Sequence, residues 1–220
     1  TTPMAGELQK TLAEMRDAGV EAVVMEVSSH ALKQRRVGSV DFDVAVFTNL
    51  TPEHMDYHPT LEDYYLSKAR LFVPGQVKAL HSVVHRVEPY GARLIGELRS
   101  RGQAVVEYDQ SSELRLSLQG IEGRYRGVEI HSPLEGEFNR LNIMASVLAA
   151  QALGVSPAAI SSGLASLKGV PGRMERVRGH ADRVTQDPKV YVDYAHKPDA
   201  LEKVLESLRH LSGEVVTVFG

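Results

Sequence analysis

Residues 47–72 read F-T-N-L-T-P-E-H-M-D-Y-H-P-T-L-E-D-Y-Y-L-S-K-A-R-L-F, and this stretch decides where strands, helices and chemistry lie. The apolar run at 44–47 is a buried strand by its composition, and it stops at Thr48 and Asn49. His54, Asp56 and His58 are then crowded between Pro52 and Pro59. After Pro59, Thr60 can cap a helix and Asp63 stands three residues on, a capping box with Asp where Glu or Gln is usual. Leu61, Tyr64, Tyr65, Ala69 and Phe72 follow at helical spacing and put Lys68 in mid-helix. Imidazoles and acids on a loop at the carboxyl end of a strand are how open α/β sheets build sites. A solvated polar loop would have the same composition, so spacing alone leaves both readings open.

Working outward, 220 residues fit one large domain or one and a fraction. A hydrophobic share of 43% fills an ordinary core, and 24% charged residues is average. The net charge of −3, with no basic face or tail, argues against a nucleic-acid or anionic-membrane binder. The absence of cysteine excludes disulfides, Cys-zinc sites and thiol catalysis. No run approaches the roughly 18 to 20 apolar residues of a membrane-spanning helix. The chain starts Thr1-Thr2-Pro3 without an initiator Met and ends on an apolar run before Gly220, so both ends are expected to be cuts in something longer.

Along the chain, Leu8, Leu12 and Met15 predict a helix over 6–18 that Gly19 stops. Residues 21–27 predict a buried strand that ends in Glu26, before Ser28, Ser29 and His30. An acid there can reach a nucleotide-bound Mg2+, or simply face solvent. A turn at 37–41, strands at 42–47, 77–84 and 104–108, and a helix at 90–100 give β-α-β alternation, hence a parallel sheet with crossover helices. Period-2 alternation over 113–131, with Gly120, Gly123 and Gly127 as turns, predicts a small antiparallel flank. A helix over 136–153 turns Leu141, Met144, Ala145 and Leu148 inward and stops at Gly154. Ser156 and Pro157 open the next helix, which ends near Leu167. A turn-rich junction at 169–173 and polar sequence up to Pro188 place a domain boundary, with domains 1–178 and 179–220. The second would open with a strand at 190–194, a helix at 198–211 and a strand at 214–219, one β-α-β unit.

Four clusters fall at strand ends or turns: Glu26 with Ser28, Ser29 and His30; His54, Asp56 and His58 with Lys68; Asn139 with Asn142; and Arg173 with Asp193 and His196. Carboxylate, imidazole and amide together suit a hard cation such as Mg2+ with retained waters better than a closed zinc site. His54 and His58 are four apart, but the flanking prolines weaken a zincin-type helix there. A serine-hydrolase reading of Ser28 and His30 lacks the G-x-S-x-G elbow. The sequence also holds no G-x-x-x-x-G-K-[ST] loop, so if a nucleotide is bound, the loop cradling its phosphates is expected before Thr1.

Seven ordered segments together resemble the Mur ligase family: T-T-P at 1–3, M-E-V-S-S-H-A-L at 25–32, F-T-N-L-T-P-E-H-M-D-Y-H at 47–58, Y-L-S-K-A-R-L-F at 65–72, G-E-F-N-R-L-N at 136–142, G-V-P-G-R-M-E at 169–175 and V-D-Y-A-H-K-P-D-A-L at 192–201. The resemblance is to members that add the third amino acid of the peptidoglycan stem peptide. It implies a P-loop-type central α/β domain without its phosphate loop, followed by the start of a Rossmann-like C-terminal domain, in a cytoplasmic, monomeric enzyme. It further implies that Thr1, Thr2, Ser28, Gln34 and Arg36 hold the UDP-MurNAc-dipeptide, and that Glu26 and His54 bind Mg2+. Lys68 would be the lysine carried as a carbamate, a third metal ligand. Asn139, Asn142, Arg173, Asp193 and His196 would contact ATP. Such an enzyme phosphorylates the glutamyl side carboxylate, and the amine of a diamino acid, diaminopimelate or lysine, attacks the acyl phosphate. The 220 residues alone would be inactive.

Two departures stand out: His85, Arg86, Val87 and Glu88 replace an Asn/Asp-rich segment, and Lys197 stands where Thr or Asn is common. Alternatives are a folylpolyglutamate-type or cyanophycin-type ligase, against which Thr1, Thr2, Ser28, Gln34 and Arg36 speak, and a non-catalytic UDP-sugar-peptide binding module.

Overall fold

Helix α1 (Ala5–Asp17) forms where Leu8 and Leu12 share a face, with Glu7 in its first turn and Arg16 in its last, as the helix dipole favours. Gly19, at φ 80°, ends it: Gly19 N–H donates to Arg16 and Val20 N–H to Met15, a Schellman closure. The computed structural model describes residues 2–73, 77–87, 89–109, 113–117, 120–177, 189–196, 198–209 and 214–218. They fall into two compact units, Thr1–Asp109 and Gln110–Gly220. Thr1, Glu88, Lys197 and the polar stretch 178–188 lie outside the described residues.

In the first unit, a five-residue helix α2 (Ser29–Lys33) follows the Ser28 cap. Strand β1 (Asp41–Phe47), helix α3 (Leu61–Ala69), strand β2 (Lys78–His85), helix α4 (Pro89–Ser100) and strand β3 (Val105–Tyr108) then alternate. The three strands pair in parallel in the order β1-β2-β3, with Phe47 opposite Val84 and Val84 opposite Glu107. Leu94 and Leu98, both fully buried on α4, pack with Phe47, Phe72 and Tyr65 in the core. Each such leucine contributes about 1.5–3 kcal/mol by leaving water. Thr60 caps α3 as expected, its Oγ1 accepting from Asp63 N–H at 3.1 Å.

The second unit begins with the antiparallel flank: β4 (Leu114–Ser117), β5 (Gly120–Tyr125) and β6 (Val128–Ser132), in that order. Helices α5 (Glu137–Ala152) and α6 (Pro157–Ala165) pack on this sheet. Ser156 caps α6, with Pro157 in its first turn. A short antiparallel pair, β7 (Glu175–Val177) with β8 (Val190–Val192), and helix α7 (Pro198–Arg209) complete it.

The structure corrects several expectations. Residues 21–27 form no strand: Val23 is half-exposed and Val24 wholly exposed, while Met25 and Val27 touch the core. A strand needs a ladder partner, and among the described residues this run has none. Residues 214–218 likewise carry no strand, with Val216 and Val218 exposed. Among the described residues, strand β8 pairs antiparallel with β7. On α5 the inward positions are Ile143, Met144, Ala145, Val147 and Leu148, and Leu141 is only partly buried.

Of the three glycines read as turns, only Gly127 is one, following Arg126 in a two-residue hairpin with φ values of 79° and 49°. Gly120 and Gly123 lie inside β5, where a Cβ would collide with the backbone oxygens of Ser132 and Glu113. Gly123→Ala is therefore expected to lower the urea-derived stability by about 2 kcal/mol or more. Gly6→Ala, in α1 with open space around it, is expected to raise stability by about 0.5–1 kcal/mol.

Candidate functional site

The loop at the carboxyl end of β1 closes on itself because His54 adopts φ 59°, a left-handed conformation that His tolerates better than most residues. Its carbonyl then accepts from the N–H groups of Tyr57 at 3.0 Å and His58 at 2.8 Å. One helical turn results between the two prolines, not a helix, and it carries the rings of His54, Tyr57 and His58 toward α2 and α3. His30 of α2 stacks on Tyr57, centroids 3.9 Å apart, and meets His54 edge-on at 5.0 Å. Burial, then the neighbouring His54 and His58, hold the His30 imidazole below its ordinary pKa, while Asp56 pulls the other way.

Lys68 points to the same place. Its Nζ donates to the Asn49 carbonyl at 3.1 Å and lies 4.9 Å from the Tyr64 ring centroid and 5.9 Å from that of Phe47. His54 meets the same Tyr64 ring edge-on at 6.0 Å. Burial lowers the Lys68 pKa from the usual lysine value, partly offset by the carboxylates of Glu53 and Glu26. Burial also pushes the Tyr64 phenol up to about 12. His54 and Lys68 thus share one aromatic wall, and Glu26 is close enough to act on the amine. Among the described residues no group of three His, Cys, Asp or Glu is disposed around a metal. Glu26 and His54 fit a hard cation only if Lys68 supplies an anionic donor as well.

Four of the residues expected to hold the dipeptide, Thr2, Ser28, Gln34 and Arg36, form one hydrogen-bonded set, while Thr1 lies outside the described residues. Buried Thr2 donates through Oγ1 to the Glu26 carbonyl at 2.9 Å and accepts from Ser28 N–H at 3.1 Å. Ser28 Oγ caps α2 by accepting from Ala31 N–H. Arg36 donates to the Thr2 carbonyl at 2.9 Å and, through two nitrogens, to Gln34 Oε1. Gln34 in turn donates to the Tyr57 hydroxyl at 3.2 Å. Tyr57 was not singled out by sequence reasoning, although it lies inside the His54–His58 loop.

In the second unit, Asn139 and Asn142 are joined at the start of α5: Asn142 Nδ2 donates to Asn139 Oδ1 at 3.0 Å, and Asn139 Nδ2 to the Glu135 carbonyl at 2.6 Å. The Glu135 carboxylate accepts from the Tyr191 hydroxyl, which ties this helix start to β8. At the end of β8, the Asp193 carboxylate accepts from the N–H groups of Met174 at 2.8 Å and Ala195 at 2.7 Å. The Arg173 guanidinium lies 5.8 Å over the Tyr194 ring, which His196 meets edge-on at 5.1 Å. Asn142, Arg173 and His196 are exposed and Asp193 half-buried, while Asn139 is buried and holds Asn142 through its side-chain oxygen.

Compared with known proteins, residues 1–150 match the Mur ligase middle domain and residues 172–220 match the Mur ligase glutamate ligase domain. The chain belongs to the Mur ligase family. Among curated relatives, the UDP-N-acetylmuramoyl-L-alanyl-D-glutamate–2,6-diaminopimelate ligase of Synechococcus elongatus is 42% identical over 230 aligned positions, taking in all of this chain and 45% of that protein. The enzyme of the same name from Geobacter sulfurreducens is 45% identical over 234 positions, again all of this chain and 45% of its own length. The chain thus spans about half the length of the curated Mur ligases it matches. A solved structure of a ligase of that name superposes with a TM-score of 0.76 at 32% identity, over 96% of this chain and 44% of that one. A folylpolyglutamate synthetase from Lactobacillus casei gives 0.70 at 19% identity, over 94% of this chain and 51% of that one, a likeness of fold alone.

The Lys33 ammonium and then the His58 ring hold the Asp63 carboxyl of this Mur ligase chain below the usual carboxylate range. A lowered folded-state pKa stabilises above the unfolded value of about 3.9 and is lost as acid protonates the group. Asp63→Asn is therefore expected to flatten the loss of stability below about pH 4, read as urea midpoints against pH. An unchanged slope would count against the Lys33–Asp63–His58 arrangement.

Proposed function

We propose that the chain is the catalytic core of an ATP-dependent amide ligase that joins 2,6-diaminopimelate to UDP-N-acetylmuramoyl-L-alanyl-D-glutamate. The whole-chain similarity to ligases of that name supports the substrates, and one observation carries the chemistry: a Lys68 amine with a lowered pKa, against the Tyr64 ring that His54 also meets, on which the Glu26 charge acts. A neutral amine adds CO2, losing one proton, and becomes an anionic carbamate with two oxygen donors, the third ligand that Glu26 and His54 lack. Mg2+ held there would neutralise the charge that develops as the terminal phosphoryl group of ATP passes to the glutamyl carboxylate. Thr2, Ser28, Gln34 and Arg36, with Thr1, orient the dipeptide so that its carboxylate meets the phosphoryl group in line. Asn142, Arg173 and His196 contact the nucleotide, with Asn139 and Asp193 shaping the turns that present them. The amine of the diamino acid then attacks the acyl phosphate, and phosphate leaves.

The same reading divides the chain into a central domain through residue 178 and the opening of a C-terminal domain from 179. It also makes the protein a cytoplasmic monomer that acts on soluble substrates, without nucleic acid or membrane.

In the intact enzyme, Lys68→Ala is expected to slow ligation about a hundredfold or more, with short carboxylic acids restoring part of it by replacing the carbamate oxygens. Wild-type turnover in that variant would remove Lys68 from the site. The 220-residue chain by itself, which has no phosphate-cradling loop, is expected to release phosphate from ATP at the buffer rate. Brisk hydrolysis would show that other residues cradle the phosphates.

A further inference from the structure

Helices α2 and α3 meet around one imidazole. His58 is fully buried, and both of its ring nitrogens are engaged: Nδ1 with Asp63 Oδ2 at 2.6 Å and Nε2 with Ser29 Oγ at 2.9 Å. The Asp63 carboxylate also accepts from Lys33 Nζ at 2.7 Å. An ionised carboxylate only accepts, so Nδ1 must carry the proton. Nε2 faces the Ser29 hydroxyl, which can accept from it or donate to it. Ser29 and Lys33 belong to α2 and Asp63 to α3, so the ring bridges the two helices. Rotating the ring by half a turn would replace both nitrogens with carbons at these contacts, which fixes its plane.

The order serine, histidine, aspartate resembles a hydrolase triad, but Ser29 is only 2% exposed and cannot meet a substrate. For stability alone an apolar side chain of similar volume would serve as well, since a buried polar chain has to recover its own desolvation. What a fixed polar bridge adds is a defined orientation. That orientation is passed on, because the His58 ring stacks on Tyr64 at 5.0 Å and 27°. Tyr64 is the wall that Lys68 and His54 share.

We propose that His58 is a positioning residue: through Ser29 and Asp63 it locks α2 to α3 and thereby holds the Tyr64 ring, and with it Lys68, in the orientation the site requires. The inference rests on Lys68 being a ligand of the ligase site. In the hydrolase-like arrangement no covalent step occurs; the only role is geometric, as with the outer partners of a metal's ligands.

The test is made on the chain itself with Ser29→Ala, which removes one anchor at little volume change, and His58→Asn, which keeps a donor near Asp63 but loses the Ser29 contact and the stack. Lys68 acetylation by acetic anhydride at fixed pH, read by peptide mass spectrometry against exposed Lys10 as internal reference, is expected to rise about tenfold in the variants that still melt cooperatively. The carbamate signal on Lys68, detected by NMR after loading with carbon-13 bicarbonate, is expected to fall in parallel. Folded variants with the wild-type acetylation ratio would overturn the proposal. A wild-type chain with no carbamate signal would instead overturn the ligand reading of Lys68, and the acetylation ratio alone would then decide for or against the His58 bridge.

Discussion

A single amine in a half-buried setting is the constraint on which the first unit turns. Lys68 donates to the Asn49 carbonyl and lies against two aromatic faces, Tyr64 and Phe47. Removing an ammonium from water is costly, and neither a carbonyl nor a π-face compensates as a paired carboxylate would. The acids that act on it, Glu53 and Glu26, offset the burial only in part. A lysine so placed holds its proton less firmly than an exposed one. The β1–α3 connection places it: β1 ends beneath the loop, and α3 returns with Lys68 on the side facing that end.

The surroundings of that amine are held by a set of polar contacts within the first unit. Thr2 is spent on the backbone of Glu26 and Ser28, and so aligns the segment that carries Glu26. Arg36 and Gln34 brace each other and reach Tyr57. In the second unit the Asp193 carboxylate is likewise engaged by two backbone N–H groups, which shape the turn that displays Arg173, Tyr194 and His196. In both units, then, candidate side chains are fixed by hydrogen bonds to backbone and to one another, as sites that need fixed geometry require.

Much of the fold was legible because its signals are local. The Thr60 cap, the Ser156-Pro157 start and the Gly19 stop each act through hydrogen bonds within a few residues, and all three form as read. The parallel β1-β2-β3 order follows from strands separated by helices long enough to cross over. The failures concern pairing. The apolar run at 21–27 and the run at 214–218 have strand composition, yet ladders require a second chain segment at the right place, and composition carries no information about that partner. Gly120 and Gly123 were misread for a related reason, since a glycine required by a neighbouring strand is indistinguishable in sequence from one required by a turn.

By itself the sequence determined the α/β class, the capped helices, the loop of His54 and His58 and, through seven ordered motifs, the family to which the chain belongs. Only the tertiary structure decided that Lys68 is partly withdrawn from water against the Tyr64 ring that His54 also meets, and that His58 faces Ser29 and Asp63 and not solvent. The reason is physical. Caps, turns and periodicity arise between residues close in the chain, whereas burial and charge coupling depend on atoms about thirty positions away, and those are brought near only when the helices pack.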